Sequence, residues 1–211
     1  MLSLLFLGGE HMTDTDVCNM ALSYIGKGVI SNMEEEQENA RACKLYYETT
    51  RRQILRECIW GFAHRIERLA KMDIDIPGWE YVYGYPAECL KINKLTEEVP
   101  DYQTRQYWDI YNVGSSTKVV AAHLENAYID YTWDVKDPNL WDDIFVQAFA
   151  HLLASRLAQR LVGNPQLVQQ EYQFYQATIM AAKTQDAREE EPRVDFRSSY
   201  IEARKGGFIN G

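Results

Sequence analysis

Apolar residues recur three and four positions apart near both ends of this chain and alternate in short runs between them. Val17, Met20, Ala21, Tyr24 and Ile25 carry the first helical stripe. Thr13 followed by Asp16 predicts a capping box at its start, and Gly26 a C′ stop. Residues 27–33 read as a loop. Glu34, Glu35, Glu36 and Glu38 then lead into a second helix, where carboxylates suit the positive end of the helix dipole. Ala40, Cys43, Tyr47, Thr50, Ile54 and Cys58 form its buried stripe. Arg41, Lys44, Glu48, Arg51, Arg52 and Glu57 populate the other face. The helical pattern reads on through Trp60, Phe62 and Ala63 to about Leu69 or Ala70, with a kink or break at Gly61.

At Ile74 the helical period stops, and Pro77, Gly78, Gly84, Pro86 and Pro100 appear. Residues 79–85, 89–94, 107–111, 118–122 and 127–133 are short, rich in Tyr, Val, Ile and Trp, and separated by turn signals such as Asn112-Val113-Gly114-Ser115. They predict a small antiparallel sheet or sandwich of about five strands. Asp137-Pro138 reads as an N-cap with proline at N1. Trp141, Ile144, Phe145, Ala148, Phe149, Leu152, Leu157 and Leu161 then line a strong helix that Gly163 ends. Asn164-Pro165 caps a last helix carrying Leu167, Val168, Tyr172, Tyr175, Ile179 and Ala182, and the short connection implies an antiparallel pair.

The expected fold is therefore α+β: an antiparallel helical bundle, an inserted small antiparallel β-domain and an extended C-terminal arm. The expected divisions are an N-terminal extension at 1–12, the first half of the helical body at 13–72, the insert at 73–136, the second half at 137–188 and the arm at 189–211. The arm is polar and basic after Glu189-Glu190-Glu191-Pro192, yet holds Val194, Phe196, Tyr200, Ile201, Phe208 and Ile209. Spaced apolar anchors on a polar tail that has no core of its own point to folding on a partner.

Composition narrows the function. A formal net charge of −9 and a longest basic element of Arg51-Arg52 argue against tight nucleic-acid binding, which needs clustered cations. Twelve per cent aromatic content, dominated by tyrosine, suits interfaces as well as cores. Cys18, Cys43, Cys58 and Cys89 show no C-x-x-C or zinc spacing and read as buried thiols in a reducing compartment. Leu2, Leu4, Leu5, Phe6 and Leu7 are too few to span a membrane and lack a signal-peptide context. Gly8-Gly9-Glu10-His11 can be encoded by a purine-rich, ribosome-binding-like stretch, so residues 1–11 are expected to be a start-site artefact ahead of Met12. No membrane association is expected.

Catalytic chemistry finds no footing. His11, His64, His123 and His151 form no metal-binding spacing, and His151 reads as a hydrogen-bonded core histidine. There is no nucleophile elbow, P-loop or G-x-G-x-x-G. Cys58 and His64 would diverge on a continuous helix. Asp142-Asp143 and Glu97-Glu98 are the adjacent carboxylates to weigh for glycoside hydrolysis. Neighbours on a helix point apart, and dipole stabilisation accounts for the first pair.

Three stretches, in this order and spacing, resemble the tail tubular protein A family, the head-to-tail adaptors of short-tailed phages. The first is Ala21-Leu22-Ser23-Tyr24-Ile25-Gly26. The second is Asn39-Ala40-Arg41-Ala42-Cys43, running through Tyr46-Tyr47 and Arg51-Arg52-Gln53-Ile54-Leu55 to Trp60-Gly61-Phe62-Ala63. The third is Asp137-Pro138 with Phe145, Ala148 and Ala154, then Gly163-Asn164-Pro165. The β region, with Pro86-Ala87-Glu88-Cys89-Leu90, matches in kind, and the likeness covers roughly residues 13–190. The resemblance implies a virion protein without enzymatic activity or cofactor. It implies twelve copies in a ring between the portal protein and a tubular protein B-type tail nozzle, with genomic DNA passing through unbound. Arg193, Phe196, Tyr200, Ile201 and Phe208 of the arm would then dock on the portal, and Trp79, Tyr83, Tyr107 and Trp108 of the insert would face the nozzle. The competing expectation is a tail-associated cell-wall or polysaccharide hydrolase.

Overall fold

The computed structural model of the protein describes residues 11–97 and 107–189. Helix α1 spans Asp14–Tyr24 and opens on the expected capping box: the Thr13 hydroxyl accepts from the Asp16 amide, and the Asp16 carboxylate accepts from the Thr13 amide at 2.8 Å. Gly26 follows with φ +67°, the left-handed conformation that glycine adopts without a Cβ penalty. Asn19 clips the next loop to α1, donating to the Ile30 carbonyl and accepting from the Ile30 amide. The glutamates ahead of α2 (Glu38–Glu57) do not form its first turn. Glu35 instead accepts from the Ser31 and Asn32 amides and closes a turn. The stripe from Ala40 to Cys58 is buried throughout. Tyr47 within it donates to Asp14 Oδ1 at 2.7 Å and so joins α2 to α1.

One residue read as outward-facing and one stretch read as helical behave otherwise. Arg51 is buried, 2% exposed, rather than solvated. The chain beyond Glu57 is not a continuation of α2. Cys58 is extended, and Trp60 Nε1 donates to the Ile54 carbonyl at 3.0 Å, satisfying one of the helix-end acceptors that lack a partner in the ladder. A 3₁₀ turn at Gly61–Ala63 then leads into strand β1, His64–Arg68.

Strand β1 belongs to the β-block, which comprises β2 (Tyr81–Gly84), β3 (Cys89–Thr96), β4 (Trp108–Val113), β5 (Thr117–Ala122) and β6 (Tyr128–Trp133). Two antiparallel three-stranded sheets result, ordered β1-β6-β3 and β2-β5-β4. All five strands expected from the alternation are present. β1 is the addition, pairing His64 with Thr132 through Arg68 with Tyr128. It is an edge strand, exposed along its whole length, so it carries charge instead of an apolar face. Tyr83, Ile92, Leu95, Val120, Ile129 and Tyr131 pack in the core shared by the sheets. Val82, Val119 and Ala121 turn the other way and are covered by Met72, Ile74, Ile76 and Trp79. Gly114, with φ +63°, makes the tight β4–β5 turn possible.

Asp137-Pro138 opens a 3₁₀ turn, Pro138–Leu140, rather than the helix itself. Helix α3 runs Asp143–Leu157 with Asp142 as its N-cap. Ten of its residues are buried, which makes α3 the central helix of the body. Trp60, Trp141, Phe145, Phe149 and Tyr47 pack around its first half, Phe145 lying edge-on to Trp60 with centroids 5.1 Å apart. A π turn at Ala158–Val162 and left-handed Gly163 end it. Asn164 caps α4, Pro165–Glu189, accepting from the Gln166 and Leu167 amides. His151 meets Glu171, and Ile144 shares a cavity with Ala182, so α3 and α4 run antiparallel. The class is α+β, with the strands lying between α2 and α3 in the chain.

Candidate docking surfaces

The β5 residue Ala122 pairs with Tyr81 on one side and Trp108 on the other. That register gathers Glu80, His123 and Tyr107 at one end of the second sheet. Trp79 stacks on the His123 ring with centroids 4.9 Å apart, and its Nε1 donates to the Tyr111 hydroxyl at 3.0 Å. His123 also lies 3.8 Å from the Glu80 carboxylate. Tyr107 projects freely at 74% exposure, whereas Trp108 is partly buried against the insert core. Three of the four expected insert residues thus have surface to offer. Tyr83 does not. It is 1% exposed and its hydroxyl donates to the Leu124 carbonyl, because its position in β2 points between the sheets. The arm residues Arg193, Phe196, Tyr200, Ile201 and Phe208 lie outside the described residues.

Other apolar surface went unread in the sequence. Tyr172, Phe174 and Met180 are exposed on α4, Met180 at 67%. Tyr172 therefore flanks the buried stripe of Tyr175, Ile179 and Ala182 instead of joining it. Beside the 3₁₀ turn, a cavity of about 300 Å³ is lined by Trp60, Phe62, Leu140, Trp141, Ile144 and Ala182, with Leu140 half-exposed at its mouth. Helical spacing places Tyr172 on the apolar stripe of α4, but only packing decides which side of that stripe is covered.

The polar clusters are structural in geometry. His151 Nδ1 lies 2.8 Å from buried Glu171 Oε2, and its ring stacks on Tyr24 at 4.6 Å, the hydrogen-bonded core histidine expected. His64 Nε2 lies 2.5 Å from Asp130 Oδ1, to which Asn93 Nδ2 also donates. Asp142 is occupied as an N-cap, accepting from the Ile144 amide at 2.8 Å. All four cysteines are buried and none is in a disulfide. Among the described residues, no cluster of three or more His, Cys, Asp or Glu could hold a metal ion, and no helix is long and apolar enough to cross a membrane.

The body and the block of sheets are joined through Arg51. Its Nε donates to Asp134 Oδ1 at 3.1 Å, just past β6, and its two terminal nitrogens grip Glu48 at 3.0 and 2.9 Å. Burial works against the guanidinium charge, but the Glu48 and Asp134 carboxylates outweigh it and hold its pKa above the ordinary value.

No protein-family model matches the chain, and no curated protein matches it.

Proposed function

We propose that the protein is a structural head-to-tail adaptor of a phage virion, assembling as a ring between portal and tail nozzle and lining the DNA channel. The observation that supports this most directly is the order of the elements. Two helices, a block of antiparallel strands and two further helices follow one another along the chain, and the family resemblance implies this arrangement. In this reading the helices make the ring body. The aromatic end of the second sheet, with Trp79, Tyr107 and Trp108, meets the nozzle. The arm beyond Glu189 reaches the portal through Arg193, Phe196, Tyr200, Ile201 and Phe208. The net charge of −9 lets DNA pass a wall that does not hold it.

The test is binding to a purified portal ring, followed by light scattering. Assembly of the chain on the ring, at a fixed number of copies, supports the reading. A chain that ignores the portal and is absent from purified virions overturns it.

A further inference from the structure

Strand β1 forms one edge of its sheet, and its outer side can be assigned residue by residue. The Leu69 amide donates to the Ala127 carbonyl at 2.9 Å, continuing the register that pairs His64 with Thr132 and Arg68 with Tyr128. In an antiparallel ladder, residues that exchange main-chain bonds alternate with residues that do not. Arg65 and Glu67 therefore bond to β6, as Leu69 does. The main-chain groups of His64, Ile66 and Arg68 point away from β6. The 3₁₀ turn uses one of these, since the His64 amide donates to the Gly61 carbonyl. The His64 carbonyl and both main-chain groups of Ile66 and Arg68 line the outer side.

Other edges of the two sheets are managed differently. The outer side of β2 is closed by residues 70–72: the Met72 amide donates to the Val82 carbonyl and the Gly84 amide to the Ala70 carbonyl. β3 shifts register twice against β6, and such irregularities discourage further pairing. β1 keeps an unbroken register and is exposed at all five positions, with Ile66 at its centre 65% exposed.

Charge normally protects an edge from pairing. The charges of His64-Arg65-Ile66-Glu67-Arg68 are instead complementary to themselves when the strand is read against its own reverse. We propose that two copies of the chain pair antiparallel through β1, with Ile66 opposite Ile66 on a two-fold axis. The Ile66 amide of each copy then donates to the Ile66 carbonyl of the other, and the Arg68 amide of each to the His64 carbonyl of the other. Arg65 of each copy faces Glu67 of the other on one side of the new sheet. On the opposite side the two Ile66 side chains cover each other.

The charges fix this register. Only alternate residues face outward, so the neighbouring registers that keep the bonding pattern place Arg65 opposite Arg65 or Glu67 opposite Glu67. Like charges directly opposite are destabilising, whereas opposite charges contribute favourably. Arg65 lies over the Trp133 ring at 3.4 Å and reaches Glu88 at 3.2 Å, which holds its guanidinium on the side of the strand that Glu67 shares. The Arg65–Glu88 pair is itself exposed and therefore weak, so it does not withhold the charge from a second copy.

An isologous contact closes at two copies, whereas a ring needs a head-to-tail contact. The β1 pair is therefore independent of the ring reading, and its failure leaves that reading to be judged on the portal. Sedimentation velocity of the full-length chain, up to roughly 1 mM, detects dimers even at a millimolar Kd. Wild type is expected to form dimers. R65E and E67R each put like charges across both symmetric pairs and are expected to weaken association at least about tenfold. Mixing R65E with E67R restores opposite charges at every pair, so the mixture is expected to dimerise where neither variant does alone. Ile66→Pro removes an outward amide while leaving the bonds to β6 in place, and is expected to abolish pairing. Amide exchange gives a second readout in the wild type. Ile66 and Arg68 should gain protection as concentration rises, while Arg65 and Glu67 stay unchanged. A wild-type chain that stays monomeric overturns the proposal. So does association that survives unchanged in folded R65E and E67R, or a mixture of the two that stays as weak as either alone.

Discussion

Arg51 and Asp134, 83 positions apart in the chain, meet at 3.1 Å and tie α2 to the end of β6. Arg51 is 2% exposed and Asp134 13% on their side chains, whereas Glu48 on the other side of the guanidinium is 63% exposed. The pair therefore sits where the helical body and the sheets join, with water largely excluded from one side.

Removing one partner of such a pair strands the other. Asp134→Ala is expected to cost about 3 kcal/mol by leaving Arg51 with the exposed Glu48 alone. Arg51→Met is expected to cost less than Arg51→Ala, because its chain refills the space that the guanidinium stem occupied. Urea denaturation, read as a change in midpoint at constant slope, measures both.

The Phe145 side chain is fully buried and touches Trp60, Phe62, Trp141 and Phe149. Phe145→Ala is expected to destabilise by about 3–5 kcal/mol. Tryptophan fluorescence should shift to the red even in the folded state, since Trp60 and Trp141 both lose their edge-on neighbour. An unchanged spectrum would contradict the packing described.

The α1 cap gives a pH signature. Thr13 bonds hold the Asp16 pKa below its ordinary 3.8, the Thr13 side chain contributing most. A depressed carboxylate pKa stabilises the folded state above the unfolded pKa and loses that stabilisation as pH falls through the folded value. The stability difference between wild type and Asp16→Asn should therefore be constant near neutral pH and shrink below pH 3.8. Thr13→Ala removes the other half of the box and is expected to cost about 1 kcal/mol at neutral pH. Thermal melts at several pH values read both.

Deleting residues 193–211 is expected to leave the melting temperature within about 1–2 °C of wild type and to abolish portal binding. An arm that orders on its partner contributes to that complex and not to the isolated fold. Portal binding with unchanged affinity would reject the arm as the anchor. Zymography on peptidoglycan and capsule addresses the hydrolase alternative. No clearing band is expected, and a band lost on neutralising one carboxylate would replace the adaptor reading.

Local signals carried most of the fold. The capping box at Thr13 and Asp16, the glycine stops at Gly26 and Gly163, the buried stripe of α2 and the five alternating strands each depend on residues a few positions apart, which a sequence displays directly. The stretch from Trp60 to Arg68 misled because Trp60, Phe62 and Ala63 fit a helical stripe, while His64–Arg68 carries no apolar alternation of its own. An edge strand with both faces in water has no reason to alternate. Its partner, β6, lies 60 to 68 positions further on.

The candidate surfaces divide in the same way. Trp79, Tyr107 and Trp108 stood out by residue type, and their gathering at one sheet end follows from strand register. Tyr83 carries the same type and period, yet is buried because β2 has a core on both of its faces. The outer side of β1 gave no sequence signal at all. The sequence by itself determined the caps, the turns, the periods and the acidic balance, since each is a property of neighbouring residues or of their sum. Only the tertiary structure decided that Arg51 is paired, that Tyr83 is inside and that β1 is a sheet edge. Burial and charge compensation depend on groups that the fold brings together from far along the chain.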